Sequence, residues 1–113
     1  NAAAGQALAH HLASLPERPT YLICGMLNTK DIAGYLGPLA AQAESLTALS
    51  IPGEANTLPA SETAGAARAV GLEAGTAEDL RAALRMIGER APHARILICG
   101  SLYLAGHVLR ENA

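Results

Sequence analysis

Thr20-Tyr21-Leu22-Ile23-Cys24 is a short apolar run; Gly25 closes it, a polar loop continues through Lys30, and Asp31-Ile32 opens a helical pattern. A run of this kind without polar alternation reads as a strand buried on both faces, the signature of a parallel sheet covered by helices. The same word recurs 75 positions later, where Leu97-Ile98-Cys99-Gly100 repeats Leu22-Ile23-Cys24-Gly25. The two copies read as neighbouring core strands carrying buried thiols, since a free cysteine packs as a small hydrophobe.

The rest of the chain alternates around these strands. A helix is expected over 2–14, where Leu8, Leu12 and Leu15 recur at helical spacing in an alanine-rich background, before Pro16 and Pro19 end it. A second spans 31–43, with Gly37-Pro38 in its middle able to kink or split it. A strand over 46–51 runs into Pro52-Gly53. A third helix starts at Pro59 and ends near Val70, with Ala60, Ala64, Ala67 and Val70 as its narrow buried stripe. A very short strand over 72–74 precedes Thr76-Ala77-Glu78-Asp79, which has the form of a capping box with Asp in place of Glu. Leu80, Leu84, Ile87 and Ala91 then mark an amphipathic helix, followed by a strand over 95–99 and a last helix over 102–110. Such alternation predicts one α/β domain over residues 1–113, Rossmann-like, in three layers. A mostly parallel sheet lies between helices on both faces. A chain of this fold that opens on a helix is expected to continue a strand lying before Asn1.

Composition narrows the function. Half of the 113 residues are apolar, but 25 are Ala and 17 Leu, with three Tyr and no Phe or Trp. A net charge of −2 with 16% charged residues excludes the basic face that nucleic acid requires. It also lies far from the composition of disorder. No apolar run reaches the ~18 residues of a membrane span, and no secretory leader is seen. Two cysteines make no disulfide scaffold and fit a reducing, cytoplasmic setting. No metal-ligand spacing is present, and His10, His11, His93 and His107, like Glu62, Glu73 and Glu78, read as surface or capping groups.

Ligands of open α/β sheets bind beyond the carboxyl ends of the strands. That rule selects the loops 25–31, 52–59 and 100–101, together with Asn1. The first holds Lys30, the only lysine, beside Asp31, one of two aspartates. The lysine is a mobile point charge suited to phosphate or carboxylate, or else it is solvated while Asp31 caps the next helix. Ser101 is either a helix cap or one donor of an anion site. Neither GxGxxG nor GxxxxGK[ST] occurs, so the chain carries no nucleotide triphosphate loop of its own.

Gly25-Met26-Leu27-x-x-Lys30-Asp31-Ile32, followed near the end by Gly100-Ser101-Leu102-Tyr103-Leu104-x-Gly106, resembles the C-terminal domain of the folylpolyglutamate synthase/dihydrofolate synthase family, a branch of the Mur ligase superfamily. The opening Asn1-Ala2-Ala3-Ala4-Gly5 is similar to the continuation of that family's Asp-Gly-Ala-His-Asn motif. The resemblance implies the C-terminal, glutamate-ligase domain of a larger cytoplasmic enzyme, with an N-terminal ATPase domain as its partner. It implies ATP and Mg2+ as cofactors of the full-length enzyme, none of them held by this chain alone. The substrates it implies are L-glutamate and a folate or pteroate carboxylate, joined through an acyl phosphate. By motif position it assigns substrate and nucleotide binding to Asn1, Lys30, Asp31 and Ser101, with no metal ligand and no complete catalytic set. The loop from Ile51 to Asn56 lacks the arginine that some members carry. The chain alone is then expected to be inactive and to self-associate. The alternatives are a stand-alone α/β binding or interaction module, and the matching domain of a peptidoglycan-precursor Mur ligase.

Overall fold

A computed structural model describes residues 1–28 and 31–101. The elements run α1 (Ala2–Ser14), β1 (Thr20–Gly25), α2 (Ile32–Leu36), a 3-10 turn (Gly37–Leu39), β2 (Ser45–Leu49), α3 (Ala60–Ala69), β3 (Ala74–Thr76), α4 (Leu80–Arg90) and β4 (Arg95–Gly100). The described strands form one parallel sheet in the order β3-β2-β1-β4. The expected α/β sandwich is therefore present. The expected helix over 102–110 and His107 lie outside the described residues.

Strand alternation explains the layers. Leu22, Cys24, Leu46 and Ala48 point to one face and pack with Leu12, Tyr35, Leu36, Leu39, Ala64 and Ala67 from α1, α2, the 3-10 turn and α3. Ile23 and Leu49 point to the other, where Ile51, Ala83 and Ile87 meet them. The first face is thick because α1, α2 and α3 share it; α4 covers the second. Most side chains between are alanine and leucine, so helices come close to the sheet. Gly5 marks a close approach of α1 to α2, since a Cβ there would overlap the Tyr35 backbone.

Local chemistry sets the boundaries, and in four places it moves them from expectation. The helix over 31–43 stops at Leu36, where Gly37 caps it and Pro38 tightens the chain into a 3-10 turn. The strand over 46–51 is Ser45–Leu49, because Ile51 bonds sideways to the Thr57 hydroxyl. The short strand lies at Ala74–Thr76 rather than 72–74. Thr76 belongs to it, so the capping box does not form. Asp79 caps α4 instead, its Oδ1 accepting from Ala82 N at 2.8 Å. The buried stripe of α4 is then Ala83 and Ile87 with Leu80 beside them, while Leu84 is 39% exposed. Pattern reading favoured the larger leucine; a close sheet contact selects the smaller alanine. Pro59 stands one position before α3, and Ser50 Oγ accepts from Ala60 N at 3.1 Å.

Thr63, on α3, is fully buried, and its hydroxyl finds no hydrogen-bond partner. A buried orphan hydroxyl costs about 1–3 kcal/mol. Thr63→Val keeps the shape and removes the orphan. It is expected to stabilise the protein by about 1 kcal/mol, a rise of about 4 °C in a thermal melt.

Candidate functional site

β1 and β4 lie side by side in register, Cys24 opposite Cys99 and Gly25 opposite Gly100. Their carboxyl ends therefore finish together. Ser101 N donates to Gly25 O at 2.9 Å, tying the loop after β4 to the end of β1. Gly100 N donates to the Tyr35 hydroxyl at 3.0 Å. Tyr35 sits on α2, one helical turn after Asp31, whose backbone carbonyl accepts from Tyr35 N and whose Oδ1 accepts from Gly34 N at 3.0 Å. Tyr35 thus links the loop that ends at Asp31 with the loop that holds Ser101.

The loop after β2 joins the same edge. Asn28 N donates to Asn56 O, Leu58 N donates to Met26 O, each at 2.8 Å, and Leu27 bridges Thr57 in antiparallel sense. Residues 26–28 and 56–58 therefore form a small ribbon above the sheet. Thr57 anchors its base, its Oγ1 accepting from Ile51 N at 2.7 Å and donating to Leu58 O.

Of the expected site residues, Asn1 and Asp31 are exposed helix caps. Asn1 Oδ1 accepts from Ala4 N at 2.8 Å, at the start of α1. α1 ends shortly before β1 begins, so it runs back along the sheet and its first residue faces the carboxyl edge. Ser101 is half-buried beside Gly25. Lys30 lies outside the described residues. The topology brings Asn1, Asp31 and Ser101 to one edge. The histidines at 10, 11 and 93 are exposed, as are Glu62, Glu73 and Glu78; Glu73 pairs with Arg90 at 3.1 Å. Among the described residues, no cluster of His, Cys, Asp and Glu could hold a metal ion.

Arginines serve the opposite edge. Arg95 donates to Pro16 O at 2.8 Å and Arg18 to His93 O at 2.8 Å, closing the amino ends of β1 and β4. A cleft of about 530 Å³ opens there, but Glu17 and Glu44 balance its two arginines. It lies away from every loop that the strand-end rule selects.

Sequence reading did not single out Tyr35 or Thr57. Tyr35 was one of only three aromatic residues in the chain, the available signal. Its hydroxyl is pushed up beyond the ordinary tyrosine range, first by burial and then by the two neighbouring cysteines, so it stays protonated. Tyr35→Phe leaves Gly100 N–H without its acceptor. The expected cost is about 1–2 kcal/mol, with faster hydrogen exchange at the Gly100 amide as the local readout.

No protein-family model matches the chain, and no curated protein matches it. Solved structures do. The chain is similar to a folylpolyglutamate synthase of Mycobacterium tuberculosis, complexed with ADP and AMPPCP, at 30% identity and a TM-score of 0.81, over 98% of this chain and 27% of that one. A bifunctional folylpolyglutamate synthase/dihydrofolate synthase from Yersinia pestis is 25% identical, with a TM-score of 0.81 over 99% of this chain and 26% of its own. Escherichia coli FolC, in complex with DHPP and ADP, matches in fold with a TM-score of 0.84 at 22% identity, over 99% of this chain and 26% of its own. The chain spans about a quarter of the length of these structures. A parallel sheet with this order, matched over nearly every residue, makes the chain a relative of the folylpolyglutamate synthase/dihydrofolate synthase family with the fold of that family's C-terminal domain.

Proposed function

We propose that the chain is the glutamate-ligase domain of an ATP-dependent, amide-forming enzyme that joins L-glutamate to a folate or pteroate carboxylate through an acyl phosphate. The likeness to a folylpolyglutamate synthase at 30% identity over 98% of the chain carries this reading. The convergence of three loops at one sheet edge supports it. In this reading Lys30 supplies a cation to a phosphate or carboxylate, and Asn1 and Ser101 supply polar donors. Asp31 caps α2 through its Oδ1. Orientation is what such residues contribute, because phosphoryl transfer depends on positioning and on stabilising charge.

In this reading the chain contributes its carboxyl sheet edge as one wall of the ligase's active site. It has no phosphate loop, and its described residues include no acidic cluster for magnesium. In this reading ATP and Mg2+ are held mainly by an N-terminal ATPase domain, and no step through the metal is assigned to these residues. The cytoplasm supplies the nucleotide and a reducing setting for the thiols.

The test uses the longer polypeptide that carries this chain, supplied with ATP, Mg2+, L-glutamate and either dihydropteroate or tetrahydrofolate. ADP release that requires both glutamate and a pteridine acceptor is the expected result. No release with either acceptor, or release indifferent to glutamate, would overturn the reading. The 113-residue chain alone should release no ADP.

A further inference from the structure

The repeated Leu-Ile-Cys-Gly word has no part in the ligase reading, yet it places two thiols together. Cys24 and Cys99 are direct partners on adjacent parallel strands, on the same face of the sheet, and both are free. Partner residues on neighbouring strands stand about 4.8 Å apart at Cα, inside the disulfide range of about 4.4–6.8 Å. Cys24 is fully buried, and Cys99 is only partly covered. The neighbouring Cys99 and then burial push the Cys24 thiol up, while the neighbouring Cys24 pulls the Cys99 thiol down.

We propose that Cys24 and Cys99 are a thiol–disulfide modification site, oxidised by hydroperoxides to an intrachain disulfide that moves the Gly100–Ser101 loop relative to Gly25. The roles follow from the surroundings. Cys99 is the more accessible of the two and is lowered below the ordinary thiol range by its neighbour Cys24, whereas Cys24 is fully buried and is raised by Cys99 and by burial. Cys99 is thus the attacking thiolate and Cys24 the resolving thiol. Cys99 sulfur attacks the terminal peroxide oxygen. The O–O bond breaks, an alcohol (or water) leaves, and Cys99 becomes a sulfenic acid. Cys24 sulfur then attacks Cys99 sulfur, the S–O bond breaks, and water leaves with the thiol proton. Two thiols lose two electrons and two protons, and one hydroperoxide is reduced.

The consequence for the loop is geometric. A disulfide holds its Cβ atoms about 3.8 Å apart at a fixed dihedral angle, so forming the bond repositions the end of β4 against the end of β1. Cys99 is followed at once by Gly100, whose N–H donates to the Tyr35 hydroxyl and which packs where a side chain would overlap Gly25 O. Drawing the cysteines together therefore shifts Gly100 and the Tyr35 hydroxyl that holds it.

The site stands whether or not the ligase reading does, and its test needs no ligase activity. The protein is treated with hydrogen peroxide without denaturant, quenched with an alkylating reagent, and read by intact mass and peptide mapping. The expected product has lost two hydrogens, takes no alkyl group, and yields one linked peptide pair containing Cys24 and Cys99, undone by dithiothreitol. Cys24→Ala should stop at a Cys99 sulfenic acid that a 1,3-diketone traps. Amide resonances of Gly100 and Ser101 should move in the oxidised protein. The proposal is overturned if both thiols still alkylate fully, if oxygens are added without a cross-link, or if the disulfide joins two chains. Unmoved Gly100 and Ser101 resonances in the cross-linked protein would remove the loop shift. The wild-type mass and map decide the matter even where a cysteine variant folds poorly.

Discussion

Gly100→Val should unfold the domain at moderate temperature, or come close to it. Gly100 has φ +101, a region that side-chain-bearing residues rarely adopt. That alone costs about 1–2 kcal/mol for an L-residue. A side chain there would also press into the Gly25 carbonyl oxygen and approach the Gly25 carbonyl carbon at 3.2 Å and Cys24 Sγ at 3.1 Å. These are backbone and core atoms, which cannot swing aside, and overpacking of this kind costs about 1–3 kcal/mol more. The third loss is the Ser101 N to Gly25 O bond, which depends on the chain turning at Gly100. Together the penalties reach about 3–5 kcal/mol, against a total stability of about 5–15 kcal/mol for a domain. Denaturant unfolding of the wild type and the variant measures the difference. Gly65→Ala is the control: a Cβ there meets nothing within 4 Å, in the middle of α3. It should stabilise by about 0.5–1 kcal/mol through helix propensity. A Gly100→Val protein as stable as wild type would mean that β1 and β4 do not end together as described.

What could be read along the chain was what leaves a local trace. The apolar run from Thr20 to Cys24 has no alternation because β1 is covered on both faces, and its echo at Leu97–Cys99 pointed to a neighbouring strand for the same reason. Alternation of helices and strands was enough for a parallel sheet. It was not enough for the whole strand order, because nothing in β3 states that it lies beyond β2. The contacts that build the candidate site are of the same silent kind. Tyr35 reaches Gly100 across 65 residues. Leu27 and Thr57 pair as an isolated bridge with no periodic pattern on either side. The α4 stripe was misjudged by one residue because hydrophobic periodicity weighs size, while packing against Ile23 and Leu49 rewards the small Ala83. Pro38, by contrast, announced its break, since a missing N–H ends a helix in any context.

The second large effect concerns turnover. In the ligase of which this chain is proposed to be a domain, Lys30→Ala is expected to reduce kcat/KM by about 10- to 100-fold. That range corresponds to losing one charge-assisted hydrogen bond of about 1.5–3 kcal/mol to an anionic substrate group. Ser101→Ala removes a neutral donor, worth about 1 kcal/mol, and should reduce it about fivefold. Stability should hardly move with Lys30→Ala. Lys30 lies in the loop between Gly25 and Asp31, and the capping of α2 is made by Asp31 Oδ1 rather than by the lysine. The hydrogen bond that ties Ser101 to Gly25 uses its backbone N–H, which alanine keeps. Asp31→Ala separates structure from binding. It removes the cap at a cost of about 1 kcal/mol, so it should lower the melting temperature as well as the rate. Glutamate, ATP and pteridine are varied separately, because a residue that touches only one of them raises KM for that one. If Lys30→Ala and Ser101→Ala both retain wild-type kcat/KM for all three, neither residue faces a ligand. The shared edge of β1 and β4 would then be only a place where the chain turns and caps its helices.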